Sequence, residues 1–132
     1  MSKLIPDSHL DLFRKKAFGH LATLNEDGSP QVTPVWVEYD GKHVVINSSK
    51  GRKKDLNMRR EKRVALSIQD PDNAYRYLEV RGRVVEVAEE GGVNHLDKLA
   101  KKYLDKDKYP WLQPGEVRVV YKIAPERFSS MG

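Results

Sequence analysis

One stretch of the sequence limits the possible folds more than any other, the alternating run from Tyr75 to Val87. Leu78, Val80 and Val84 alternate with charged side chains, which is the pattern of a β-strand with one buried face. Gly82 lies in the middle of the run and marks a bend or a bulge, as at the corner of a barrel. The stretch therefore predicts one long, bent strand in a curved sheet.

The remaining sequence predicts short strands joined early by tight turns. Asp27-Gly28 and Asp40-Gly41 are turn dipeptides that join neighbouring strands as hairpins. Ser8 and Asp11 have the spacing of a capping box at the start of a short helix. We predict five further strands and three helices, the strands at 18–24, 31–39, 42–48, 63–69 and 116–123 and the helices at 8–16, 52–60 and 93–104.

Six strands with only two interrupting helices favour one fold class over another. A doubly wound sheet would need a helix after nearly every strand. The pattern instead predicts a mainly β protein with helices (α+β), built on a six-stranded antiparallel barrel. The 132 residues match one domain of about 100–150 residues, so we expect a single domain spanning 1–132.

Composition excludes several kinds of site. The sequence has no cysteine, so disulfides, thiol nucleophiles and cysteine-bound metals are excluded. The four histidines are far apart and lack metal-ligand spacing, and we expect no metal site. No apolar run approaches the ~18 residues that span a bilayer, and residues 1–7 do not read as a secretory signal. We therefore expect a cytoplasmic protein without membrane contact.

Positive charge is concentrated in one segment. Residues 50–63 carry eight basic and two acidic side chains, whereas the whole chain has a net charge of +5. A local cluster of this kind indicates an anionic partner at one place. The segment runs from a strand end through polar residues into a helix start, where free N–H groups favour a phosphate.

Two other readings of this segment stay open. A solvated basic helix is the simplest, since most charge runs have no ligand. Nucleic acid is a second possible partner, favoured by the local charge and by the nearby Tyr75 and Tyr77. The rest of the chain is slightly acidic and has no nucleic-acid motif, so we do not expect nucleic acid as the partner.

Four segments, in this order and spacing, resemble a known family. They read FGHLATL at 18–24, DGSPQVTPVW at 27–36, KDLNMRR at 54–60 and YLEVRGRV at 77–84. Together they resemble the pyridoxamine 5'-phosphate oxidase-like split-barrel proteins, and most closely the short flavin or deazaflavin oxidoreductases. The resemblance implies a split β-barrel of the FMN-binding type and a homodimer that holds its cofactor at the subunit interface.

The resemblance also implies positions for the cofactor. The second strand would approach the ring system, and the partner subunit would add contacts from the region after the fourth strand. The end of the third strand and the helix after it would bind the phosphate, and further lysines there could bind a longer anionic tail. The cofactor-binding residues implied are Gln31, Thr33, Pro34, Val35, Trp36, Asn47, Ser48, Ser49, Lys50, Arg52, Lys53, Lys54, Asn57, Tyr75 and Tyr77.

The number of basic residues guides the choice of cofactor. Flavin mononucleotide (FMN) carries one terminal phosphate, whereas coenzyme F(420) carries a phosphodiester and a polyglutamate tail. Eight basic residues exceed the need of one phosphate, with Lys50, Lys53 and Arg59 left for the tail. We therefore expect coenzyme F(420) and hydride transfer to a small conjugated substrate, with no catalytic side chain assigned. The alternatives are an FMN-dependent enzyme of the same fold and a non-enzymatic module that binds a cofactor, haem or nucleic acid.

Overall fold

The fold is a curled antiparallel sheet with helices packed against it. The computed structural model describes residues 5–132; residues 1–4, part of the segment tested above for a secretory signal, lie outside this range. The strands are β1 (Gly19–Leu24), β2 (Pro30–Val35), β3 (Val37–Tyr39), β4 (Val44–Ser49), β5 (Arg63–Gln69), β6 (Tyr77–Ala88) and β7 (Arg118–Met131). The helices are a 3₁₀-helix (Asp7–Phe13), α1 (Lys53–Arg60) and α2 (Gly92–Leu104).

The strands form one sheet in the order β2-β1-β5-β6-β7-β4-β3. Every neighbouring pair is antiparallel, and the inner face of the sheet encloses the buried apolar core. The predicted fold class, a mainly β split barrel with helices, is therefore confirmed. The described residues form seven strands where the sequence predicted six.

The additional strand arises because the predicted strand 31–39 is broken at Trp36. Its first part pairs with β1 and its second part pairs with β4, so the two parts lie at opposite edges of the sheet. Pro34 has no N–H to donate to a neighbouring strand. The N–H of Val37 donates to the hydroxyl of Tyr103 at 3.0 Å instead of to a strand. The break therefore carries the chain from one edge of the sheet to the other.

The predicted irregularity at Gly82 is present. The register of β6 against β7 shifts between Arg81 and Gly82. A Cβ at Gly82 would lie 2.2 Å from the carbonyl oxygen of Ala124. Leu78, Val80 and Val84 are buried in the core, as the alternation predicted.

β7 is longer than the predicted strand 116–123. Its second half pairs with the first half of β6, from Arg81 opposite Arg127 to Tyr77 opposite Met131. Most side chains of this second half are exposed, so it lacks the apolar alternation that marks a strand in a sequence. Backbone pairing with β6, rather than burial, holds it in the sheet.

The predicted short N-terminal helix is present, but the predicted capping box is wrong. Asp7–Phe13 is a 3₁₀-helix, and no side chain caps its first N–H groups. The Ser8 hydroxyl lies 2.8 Å from Nδ1 of His9 instead. Leu12 and Phe13 are buried, as predicted. Within residues 5–132, no helix combines the length and the apolar character needed to cross a membrane.

Candidate functional site

A pocket of about 170 Å³ opens where the end of β2, β4, the start of α1, α2 and the start of β7 meet. It contains six of the residues predicted for cofactor binding, because the break at Trp36 carries the end of β2 towards the basic segment. Its lining residues are Phe18, Pro34, Val35, Trp36, Asn47, Arg52, Lys54, Leu96, Leu99, Tyr109 and Arg118.

Three cations and no carboxylate line this pocket: Arg52, Lys54 and Arg118. Within residues 5–132, the side chains of Arg52 and Lys54 have no hydrogen bond or ion pair. Burial, followed by repulsion from Arg52 and Arg118, lowers the pKa of Lys54. Holding a partly buried positive charge without a counter-ion is costly, so the pocket favours an anion.

Asp55 shapes the loop that presents these cations. Its Oδ2 accepts a hydrogen bond from the N–H of Gly51 at 2.9 Å, and Gly51 has a φ of 93° that favours glycine. Its Oδ1 accepts from the hydroxyl of Tyr121 at 2.6 Å and from Nε of Arg59 at 2.9 Å. Burial alone would raise the pKa of Asp55, but these hydrogen bonds lower it. The carboxylate therefore ties the loop to the core.

Several residues predicted to bind the phosphate or the anionic tail lie outside the pocket lining and make contacts within the chain. Asn57 donates to Oγ1 of Thr23 and to Oδ1 of Asn25, each at 3.0 Å. It therefore fastens α1 to the β1–β2 hairpin. Lys50 pairs with Glu89 at 2.9 Å.

The predicted serine and lysine ligands next to these residues also lie outside the pocket lining. The hydroxyl of Ser49 donates to Glu116 and accepts from Arg118. Ser48 is buried, and its hydroxyl has no partner among the described residues. Lys53 is exposed at the start of α1. Of the basic segment, only Arg52 and Lys54 therefore line the pocket.

The two polar residues predicted on β2, Gln31 and Thr33, precede in sequence the part of the strand that lines the pocket. Oε1 of Gln31 accepts a long hydrogen bond of 3.4 Å from Thr23. The hydroxyl of Thr33 is buried and, like that of Ser48, has no partner within residues 5–132. Neither side chain lines the pocket, whereas Pro34 and Val35 do.

The comparisons with known proteins agree with this architecture. The family model of pyridoxamine 5'-phosphate oxidase matches residues 5–132. The chain belongs to this family. No relative is found among the curated proteins.

Several solved structures resemble this chain over nearly its whole length. An F(420) reductase is 35% identical, with a TM-score of 0.83 over 95% of this chain and 98% of the other. A conserved hypothetical protein of Mycobacterium tuberculosis is 23% identical, with a TM-score of 0.72 over 96% of this chain and 84% of the other. HupZ of Group A Streptococcus is 18% identical, with a TM-score of 0.70 over 96% and 94%. The last two comparisons bear on the fold alone.

The two tyrosines predicted to contact the cofactor of a partner subunit do not line the pocket of their own chain. Tyr75 is 82% exposed in the connection between β5 and β6. Tyr77 begins β6 and is partly buried. Neither of them lines the pocket.

One wall of the pocket is aromatic and consists of Phe18, Trp36 and Tyr109, whereas Tyr103 and Trp111 contact this wall without lining the pocket. Trp36 stacks on Tyr103 with ring centroids 5.0 Å apart and 6° between the planes. Tyr109 meets Trp36 edge-on at 5.9 Å, and Trp111 meets Tyr109 at 5.6 Å. Burial raises the pKa of Tyr103 to about 12, so its hydroxyl stays protonated near neutral pH. An aromatic wall beside three cations suits a planar ligand that carries an anionic group.

Five lining residues were not predicted from the sequence: Phe18, Leu96, Leu99, Tyr109 and Arg118. Arg118 is the most informative omission. Alternation in the last strand turns Val119 and Tyr121 inward and assigns Arg118 to the outer face. Packing of α2 against β7 buries that face. Only the fold therefore brings Arg118 to the pocket.

Proposed function

We propose that the chain binds coenzyme F(420) and acts as an oxidoreductase that transfers a hydride to a small conjugated organic substrate. The observation that carries this proposal is the set of Arg52, Lys54 and Arg118 in a pocket lined by no carboxylate. Similarity to an F(420) reductase at 35% identity over 95% of the chain supports it. An anionic, planar cofactor matches both the cations and the aromatic wall.

The residues of the chain would bind and orient this cofactor. Arg52 and Lys54 would hold the phosphodiester by charge-assisted hydrogen bonds. The segment from Pro34 to Trp36 would lie against the ring. When bound, the deazaflavin supplies the hydride chemistry itself. The chain contributes position, positive charge and an apolar wall that excludes water from one side.

A second copy of the chain would complete the site. The pocket of one chain is about 170 Å³, below the roughly 300–1,000 Å³ typical of ligand pockets. Tyr75, which the family resemblance assigns to a partner's cofactor, is free to reach another chain. We therefore propose a homodimer, and sedimentation at micromolar concentration should give twice the mass of one chain. A monomer would contradict this part of the proposal.

FMN stays a second candidate for one specific reason. Lys50 and Arg59, expected to bind the tail of F(420), are paired with the carboxylates of Glu89 and Asp55. Fewer cations are therefore free than the sequence suggested, and a single phosphate would need fewer. The cytoplasmic location also stays a prediction.

The test is a parallel titration of F(420) and FMN against the wild type, Lys54→Ala and Lys42→Ala. Lys42 is exposed in the turn before β4, so its replacement removes the same charge away from the pocket. Loss of one charged contact costs about 1.5–3 kcal/mol, and we expect Lys54→Ala to weaken binding about tenfold or more. Lys42→Ala should bind like the wild type.

Three results would contradict the proposal in different ways. Equal affinity of Lys54→Ala and the wild type would remove the site assignment. Tighter binding of FMN than of F(420) would select the second candidate. Binding of neither cofactor, together with steeply salt-dependent binding of oligonucleotides, would favour a nucleic-acid-binding module.

A further inference from the structure

A chain of polar side chains runs behind the pocket from β3 to β7. Oε1 of Glu38 lies 2.6 Å from Nε2 of His95. Nδ1 of His95 lies 3.1 Å from Nδ2 of Asn47. Oδ1 of Asn47 accepts a hydrogen bond of 2.8 Å from Nε of Arg118. His95, Asn47 and Arg118 are buried, so the two contacts of Asn47 with His95 and Arg118 act in surroundings of low polarity.

The amide of Asn47 has only one orientation that satisfies its neighbours. Nδ2 donates to the carbonyl oxygen of Gly92 at 2.9 Å, and that oxygen can only accept. Nε of Arg118 can only donate, so it must face Oδ1. Reversing the amide would set donor against donor and acceptor against acceptor. Gly92 and Arg118 therefore decide which end of the amide is the oxygen, and His95 provides the third contact that holds the amide in place.

This orientation also fixes the proton of His95. Since Asn47 presents an N–H to Nδ1 of His95, that nitrogen must accept and carries no proton. The proton of the neutral ring is then on Nε2, which donates to Glu38. The hydrogen bond from His95 is the largest influence on the pKa of Glu38 and lowers it despite burial. Glu38 is thus a carboxylate that holds this tautomer.

These connected polar side chains reach the pocket through Arg118, which is only 6% exposed. Its Nη1 donates to the hydroxyl of Ser49 at 2.9 Å and to Glu116 at 2.7 Å. Its Nη2 has no acceptor among the described residues. Because Arg118 lines the pocket, this nitrogen is the part of the guanidinium left for a ligand.

We propose that His95, oriented by Glu38, is a positioning residue that locks the Asn47 amide and so aims the free Nη2 of Arg118 at the anionic group of a ligand in the pocket. This inference rests on the proposed function for the identity of the ligand. The anion contact itself can be probed with inorganic phosphate.

A simpler role for His95 would be to tie α2 to β3 through Glu38. Two substitutions separate the roles, because each keeps one end of the imidazole. His95→Asn keeps an acceptor near the position of Nδ1 and loses the contact with Glu38. His95→Gln keeps a donor near the position of Nε2 and loses the contact with Asn47.

The variants are compared in titrations with F(420) and with inorganic phosphate, followed by the Nε–H resonance of Arg118. We expect His95→Asn to bind within about threefold of the wild type and His95→Gln to lose about tenfold. Equal losses, or a larger loss in His95→Asn, would overturn the inference, as would an Arg118 resonance that phosphate leaves unmoved. Thermal unfolding of both variants checks that they fold.

A measurement on the wild type keeps the test independent of any variant. A long-range ¹H–¹⁵N spectrum should show the proton of His95 on Nε2 and none on Nδ1, and a protonated Nδ1 would overturn the inference. If phosphate binds as expected but F(420) and FMN do not, the proposed function fails and the positioning role stands. If F(420) binds normally and the two variants are equal, the positioning role fails alone.

Discussion

At the scale of single residues, the charged side chains of the basic segment have different roles according to burial. The Asp55 carboxylate in α1 is buried, whereas the side chains of Arg52 and Lys53 are exposed. Asp55 alone satisfies a loop amide, a core hydroxyl and a guanidinium. A residue that the sequence presents as one of two acids among many bases therefore connects the candidate site to the core.

Asp55 gives a prediction at this scale. Asp55→Ala leaves the N–H of Gly51 and the hydroxyl of Tyr121 without their acceptor. A buried group left unsatisfied costs about 1–3 kcal/mol, so the free energy of unfolding should fall by about 3 kcal/mol. Urea unfolding measures the change. Glu89→Ala is the control, since it removes exposed ion pairs that contribute about 0–1 kcal/mol; equal effects would contradict the role given to Asp55.

At the scale of elements, β6 and β7 are in close contact at an irregular point of their pairing. Gly82 lets the two strands approach, and β7 changes register at that point. The bend lets β7 pair with β6 along its length and with β4 beyond the bend. That second pairing brings Arg118 opposite Ser49 and so forms one side of the pocket.

Replacing this glycine tests the role of the bend. Gly82→Ala would place its Cβ 2.2 Å from the backbone oxygen of Ala124, so β7 must move. Such overpacking costs about 1–3 kcal/mol, and we expect a loss of about that size in urea unfolding. Val85→Ala, on an exposed position of the same strand, should change stability by about 0.5 kcal/mol or less. A neutral Gly82→Ala would mean that the strands do not need this approach.

At the scale of the whole molecule, ion pairs act both between distant segments and within the connections of the sheet. Arg76 pairs with Asp11 at 2.7 Å and with Asp70 at 2.8 Å, which holds the 3₁₀-helix to the β5–β6 connection. Arg118 pairs with Glu116 at 2.7 Å beside the pocket. Hydrogen bonds and positive charge lower the pKa of each of these three carboxyl groups.

Stability should therefore fall in acid. Burial alone would raise the pKa of Glu116, but hydrogen bonds from Gln113, Ser49 and Arg118 lower it to about 2 from 4.5. A group with a lowered folded-state pKa stabilises the fold above its unfolded pKa and loses that contribution as pH falls. For Glu116 the loss falls between pH 4.5 and about 2.

Unfolding by urea at pH 7, 5, 4 and 3 measures this dependence. We expect the free energy of unfolding to decrease over the acid range in the wild type and to decrease less in Glu116→Gln. Glu90→Gln, at an exposed site before α2, is the matched control and should follow the wild type. Identical slopes in all three proteins would contradict the assigned role of Glu116.

The sequence by itself determined most of the elements, and the family resemblance joined residues that line one pocket. Alternation and turn dipeptides set most strands within one or two residues, because side-chain burial follows from period two. Arg52 and Lys54 were predicted beside Pro34, Val35 and Trp36, because the family resemblance joined two segments that local patterns leave separate. All five line one pocket.

Only the tertiary structure decided the rest, because it depends on contacts between distant segments. The break at Trp36 needs the hydroxyl of Tyr103 as a partner for the Val37 N–H. The second half of β7 is a strand because β6 pairs with it, and its own side chains give no such signal. The positions of Arg118 and His95 depend on how α2 packs against the sheet. A pattern along the chain records which face of an element is apolar, but it does not record which distant side chain completes a hydrogen bond.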